Sequence, residues 1–409
     1  MKRFCATISR VLAAAAIAAT LTVAASAQTE TILHSFTGGN DGGSPQGALI
    51  FDSKGNLYGT TSGGGQSSSC GGCGAAFELV NSNGTWSENI LYSFGSLSNL
   101  NDGANPNGPL TFDSKGNLYG TTISGGSSFQ GTVFELVAGS NGIWTEKVLY
   151  NFTGGIDGGF PYGSGVTFDA AGNLYGMTES GGAYGFGTVF ELVAGANGTW
   201  TEKVLHSFTS TNDGSLPFGS TLSIDAAGSL YGVTTGGGSH DYGVVFKLVP
   251  GSNGTWTEKV LYSFPGGTGG SFPAGNLVFD ASGNIYGEAG FVVYKLTPSS
   301  SGAWTETTLH TFGGGSDGAN LYAGLAFDKA GNLYGTTNAG GTHRGTVFEL
   351  TPESNGTWSE KVLHRFSPNG GDGVFPNFGN LTIDASGAVY GVTPQGGQSK
   401  SGVVFKIVP

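Results

Sequence analysis

Charge is scarce in this chain. Asp, Glu, Lys and Arg make up 11% of its 409 residues, and only 16 are Lys or Arg against 28 acids. A surface so poor in cations offers little to the phosphates of nucleic acid or to an anionic membrane, and neither is expected as a partner. Cysteine is rarer still, at three residues, too few for a disulfide framework or a four-cysteine zinc centre. There is no strand-to-helix nucleophile elbow, no phosphate-binding loop and no histidine pair at H-x-x-x-H spacing. Beyond residue 27 no apolar run is long enough to span a bilayer. What abounds is glycine, 77 residues, without the three-residue period of collagen, while 12% aromatic residues argue for a real core with the glycines in turns.

The first 27 residues combine a basic start, an Ala-rich apolar stretch and an Ala-Ser-Ala ending. They are read as a signal peptide cleaved before Gln28, leaving residues 28–409 as an exported domain, periplasmic or extracellular, with no membrane insertion. Losing Lys2, Arg3 and Arg10 takes the net charge from −12 to −15.

Ten residues, DSKGNLYGTT, occur identically from Asp52 and from Asp113, and close copies start at Asp169, Asp225, Asp280, Asp328 and Asp384. Numbered by these copies, each unit carries four short β-like runs, a to d. In residues 106–152 they are PLTFD, NLYGTT, GTVFELV and WTEKVLYNF, separated by turn signals such as Asn141-Gly142. A four-stranded unit of this size in seven copies predicts an all-β, seven-bladed β-propeller. The two ends sharpen the prediction. The sequence stops after GVVFKIVP, a strand c, and TETILHSF at residues 29–36 matches strand d. The N-terminal strand is therefore expected to complete the seventh blade and close the ring.

The a–b hairpin, for example Pro106 to Tyr119, resembles that of NHL-type repeats. The whole unit, with its GTVFELV and GTWTEKVLYSF segments, resembles the GloVer tandem repeat of exported bacterial proteins over residues 29–409. The resemblance implies the fold and no activity.

Residues that the repeat does not explain are the informative ones. The seven a–b aspartates are turn acceptors, the strand d glutamates (Glu30, Glu88, Glu146, Glu202, Glu258, Glu306, Glu360) are read as charges on an exposed edge, and the strand c glutamates as cross-strand partners. Asp41, Asp102, Asp157, Asp213, Asp317 and Asp372 recur in the d–a connections. They are calcium candidates, with turn chemistry the simpler account, and no other cofactor is expected. Glu179, His240, Asp241, Glu288, His343, Arg344, Glu353, Arg365 and Lys400 remain, nearly all on the b–c side of the ring, the top face, with Glu353 on the bottom turns. Blade 5 has a collapsed b–c segment, which predicts a notch flanked by His240-Asp241 and His343-Arg344 with Glu288 at its edge. Aromatics at the entry to strand a (Tyr162, Phe218, Tyr322, Phe378) suit stacking against a sugar or a peptide. Cys70 and Cys73 are expected to form a local disulfide. The favoured reading is a monomeric binding propeller for a glycan, a peptide or a surface protein. A polysaccharide lyase or hydrolase at the notch is the enzymatic alternative, and a structural envelope module the third.

Overall fold

The computed structural model describes residues 29–67, 70–341 and 343–409; the signal-peptide reading falls on residues outside these. The repeat folds as expected. In blade 2, strands a (Thr111–Phe112), b (Leu118–Thr122), c (Thr132–Ala138) and d (Trp144–Asn151) pair antiparallel in that order. Seven such sheets make the ring.

The repeated ten residues encode one hairpin. The Asp113 carboxylate accepts the backbone N–H of Lys115 and Asn117 at 2.8 and 2.9 Å and the Asn117 side-chain amide at 2.9 Å. Burial opposes its ionisation, but these donors outweigh it and hold its pKa below the ordinary Asp value. Gly116 sits at φ +87°, where a side chain would be strained. Gly120 has a different reason to be glycine. The ring of Phe134 on strand c lies over it, and a Cβ there would meet Phe134 Cζ at 2.7 Å. Gly120→Ala is accordingly expected to destabilise the protein by about 1–3 kcal/mol through overpacking, read from the denaturant midpoint.

There is no single core. Buried side chains form seven clusters, one at each seam between adjacent blades. Across the seams the Tyr of NLYG meets the strand a Phe of the next blade edge-on, as Tyr119 does Phe168 at 5.0 Å. The strand c glutamates form the expected cross-strand pairs, Lys147 with Glu135 and Lys203 with Glu191, both at 3.4 Å. Where strand c carries Lys instead, Lys247, Lys295 and Lys406 lie over the Tyr ring of their own blade.

Ring closure is non-covalent. Thr29–Ser35 pairs antiparallel with Val403–Val408, from Thr29 opposite Val408 to Ser35 opposite Val403. This strand is the d strand of blade 7.

One expectation needs correction. The strand d glutamates do not guard an open edge, because the preceding blade covers them. The Glu88 side chain is only 10% exposed and stands beside His34 and Asp41 at the blade 7–1 seam. Burial, helped by neighbouring aspartates, lifts Glu88 and Glu146 to about 8 and Glu202 and Glu258 to about 7.

Candidate functional site

The top face is built from the b–c and d–a turns, which bridge to one another within each blade, as at Ala104–Ser124 and Ser215–Gly236. One position organises this face. The residue before the strand a proline, or before Leu321 in blade 6, has a left-handed backbone in every blade: Ser44, Asn105, Phe160, Leu216, Phe272, Asn320 and Phe375 all have φ between 52 and 60°. The crossover is pinned by hydrogen bonds between blades. Phe160 N donates to Gln130 O at 2.8 Å, Leu216 N to Phe186 O at 2.9 Å and Phe272 N to Tyr242 O at 2.8 Å.

Asn is suited to this conformation and bulky side chains are not. Phe160, Leu216, Phe272 and Phe375 nevertheless occupy it. Leu216 and Phe272 remain 40% and 50% exposed, so burial does not offset their backbone strain. They line a pocket of about 330 Å³ with Glu179, Phe218, Thr235, Ala274 and Tyr322, running from blade 3 to blade 6. The b–c turns of blades 3 to 5 carry further exposed aromatics, Tyr184, Phe186, Tyr242 and Phe291. Tyr242 lies edge-on to Phe272 at 5.7 Å.

The aromatic residues singled out in the sequence do come together. Tyr162 stacks on Phe218 with centroids 4.6 Å apart and planes at 17°, and Phe378 meets both edge-on at 5.9 and 5.0 Å. Phe378 comes from blade 7, opposite blades 3 and 4 in the ring, so the three rings meet across its central axis. Tyr322 joins them at 6.3 Å from Phe378. Glu179 lines the pocket and is half-buried, and desolvation raises its pKa.

The notch constellation does not assemble around Glu288. Blade 5 does reduce its b–c turn to Gly290-Phe291 between strands Ile285–Ala289 and Val292–Pro298. Yet Glu288 is 0% exposed, in the seam with blade 6, where its Oε2 accepts Gly324 N at 2.9 Å. Burial raises it to about 8 despite that bond and a second from the Ala323 N–H. Neighbouring Tyr294, which replaces the strand c Phe of the other blades, is equally buried, and neither its hydroxyl nor Glu288 Oε1 has a hydrogen-bond partner. His240 and His343 are exposed. His240 Nδ1 pairs with Ser239 Oγ at 2.9 Å, and Asp241 Oδ1 accepts Gly237 N at 2.9 Å. Asp241, His343 and Lys400 share a left-handed turn position in their b–c loops, with φ from 62 to 74°. Arg344 lies over the Phe375 ring at 4.9 Å, and it lines a separate pocket of about 580 Å³ with Lys400 over blades 6 and 7.

The six d–a aspartates cap the turn after strand d. Asp41, Asp157 and Asp213 accept the backbone N–H of Thr37, Thr153 and Thr209, and Asp102, Asp317 and Asp372 those of Ser96, Gly313 and Ser367. Cys70 and Cys73 are joined as a disulfide in the b–c loop of blade 1.

Sequence reasoning missed Phe160, Leu216, Phe272 and Phe375. Their signal was available as a bulky apolar residue directly before a proline in a glycine-rich turn.

Known structures share the architecture at low identity. Virginiamycin B lyase from Staphylococcus aureus superposes with a TM-score of 0.55 at 16% identity, over 93% of this chain and 99% of that one. The extracellular domain of a one component system from B. thetaiotaomicron gives 0.57 at 14%, over 93% of this chain but 41% of that one. At such identities the likeness is one of fold alone. No curated protein matches by sequence. The Gloeobacter/Verrucomicrobia repeat model matches residues 17–201, 67–291 and 288–409, and the chain therefore belongs to the Gloeobacter/Verrucomicrobia repeat family.

Proposed function

We propose that this protein is an exported propeller that binds a glycan on its top face, stacking sugar rings against the aromatic crescent of blades 3 to 5 around Glu179. The observation that carries the reading is the left-handed position before strand a. Three blades fill it with Ser or Asn, which tolerate the backbone, while four install Phe or Leu at a cost of about 1–2 kcal/mol each. Two of those side chains face solvent at the mouth of the pocket, where a ligand would recover what folding does not. Exposed aromatic faces beside a few polar groups are the usual chemistry of sugar stacking. Binding is favoured over hydrolysis because Glu179 is the single carboxyl group lining the pocket, whereas glycoside hydrolysis generally employs a pair. Export rests on the basic, apolar and Ala-Ser-Ala segments of the first 27 residues.

Leu216→Asn and Phe272→Asn together are expected to stabilise the protein by about 1 kcal/mol or more, since Asn suits the backbone. The same pair should abolish retention on a glycan array that the parent protein binds. A panel of plant and bacterial oligosaccharides, none of which binds the parent, would sink the glycan reading. Capture of a peptide on the same face would replace it.

A further inference from the structure

We propose that the seam closing the ring, between blades 7 and 1, binds one divalent transition-metal ion of the zinc class through His34, Asp41 and Glu88. His34 lies on the N-terminal strand, Asp41 in the loop that follows it, and Glu88 on strand d of blade 1 (Thr85–Ser93). His34 Nε2 stands 3.8 Å from Asp41 Oδ2 and 3.7 Å from Glu88 Oε2, and the three donor atoms fall within 4.8 Å of one another. Those separations are too long for hydrogen bonds. They are close to the spacing of about 3.4 Å between two donors that share a tetrahedral ion at about 2.1 Å.

Independent support comes from groups that lack partners. The Glu88 side chain is nine-tenths buried, yet its Oε1 has no hydrogen-bond partner, and neither does His34 Nε2. Asp41 and Glu88 also line an open groove of about 640 Å³, which gives an ion a way in.

The repeat supplies internal comparisons at the same three positions. In blades 1 and 2 a tyrosine replaces the histidine, and Tyr92 and Tyr150 donate to Asp102 and Asp157 at 2.9 and 3.0 Å. Those tyrosine–aspartate pairs are satisfied without an ion, although Oε1 of the neighbouring Glu146 and Glu202 lacks a partner as it does in Glu88. His206 and His364 pair with Asp213 and Asp372 at 3.2 and 3.1 Å. His364 also has Glu30 at 3.6 Å, so an ion there must first displace a hydrogen bond. His310 stands 3.9 Å from Asp317, but among the described residues no glutamate completes a three-donor group with them. One imidazole and two carboxylates suit zinc or manganese better than calcium, which takes six to eight oxygens.

The test is calorimetric titration of the purified chain with zinc, manganese and calcium chlorides after chelator treatment. One zinc ion should bind per chain and raise the melting temperature. His34→Tyr installs the residue that blades 1 and 2 already carry. It should fold normally and weaken zinc binding by about tenfold or more, whereas His310→Tyr should leave binding unchanged. No saturable zinc or manganese binding, binding that survives intact in His34→Tyr, or binding lost only in His364→Tyr overturns the assignment.

Discussion

Glu288→Gln is expected to leave stability near pH 4 unchanged and to raise it progressively up to pH 8. The reason is linkage. Below about 4.5, its ordinary value, the carboxyl is protonated in both the folded and the unfolded chain. Between there and about 8, where burial has moved the folded group, the unfolded chain releases a proton that the folded one keeps. Rising pH therefore favours unfolding across that window, with a total cost on the order of 5 kcal/mol. Glutamine retains an acceptor for Gly324 N but has no proton to lose. Urea unfolding of the two proteins at pH 4, 6.5 and 8 measures the difference, and parallel curves at all three would refute the buried-carboxyl account. Glu30, Glu88, Glu146, Glu202 and Glu258 are also raised by burial, so the unsubstituted protein should itself lose stability over the same range. The a–b aspartates run the other way. Their donors depress their pKa, so they contribute above the ordinary Asp value and lose that contribution in stronger acid. Maximum stability should fall in mild acid.

A chain shortened to begin at Phe36 should lose cooperative unfolding and self-associate. The N-terminal strand contributes Ile32 to the blade 6–7 cluster and Leu33 to the blade 7–1 cluster. Its removal would strip apolar cover from both seams; Ile32 and Leu33 are partly buried, so each contributes at most the about 1.5–3 kcal/mol of a fully buried side chain. It would also leave Val403–Val408, sequence VVFKIV, as an unpaired edge. Set against a total stability of about 5–15 kcal/mol, that loss is large. A synthetic peptide spanning residues 29–35, added in excess, should restore a monomer on size exclusion. If the shortened chain stays monomeric with an unchanged midpoint, closure contributes nothing.

The fold was legible because the repeat prints its own turns. Asp113, Gly116 and Asn141-Gly142 define the hairpins, and the split unit at the two ends gives the closure. The aromatic cluster was legible because Tyr162, Phe218, Tyr322 and Phe378 break the pattern in one region, the entry to strand a. Glu288 was misplaced although the sequence held the answer. Its counterparts include Met177, Val233 and Val392, which already mark an interior position. The buried strand d glutamates were harder to foresee. A strand at the edge of its own sheet reads as exposed, and only the packing of blade on blade covers Glu88. The left-handed crossover is a property of the backbone, and its φ values appear only in three dimensions.

The pairing of Thr29–Ser35 with Val403–Val408 also sets an order in time. Of the two, Thr29–Ser35 is made earlier, and it finds its partner only when Val403–Val408 has been delivered, roughly tens of seconds later at ordinary rates of synthesis. Through that interval it must stay single without being captured by another chain. With Thr29, Glu30, Thr31, His34 and Ser35 and only two large apolar residues, Ile32 and Leu33, it fits a strand built to wait.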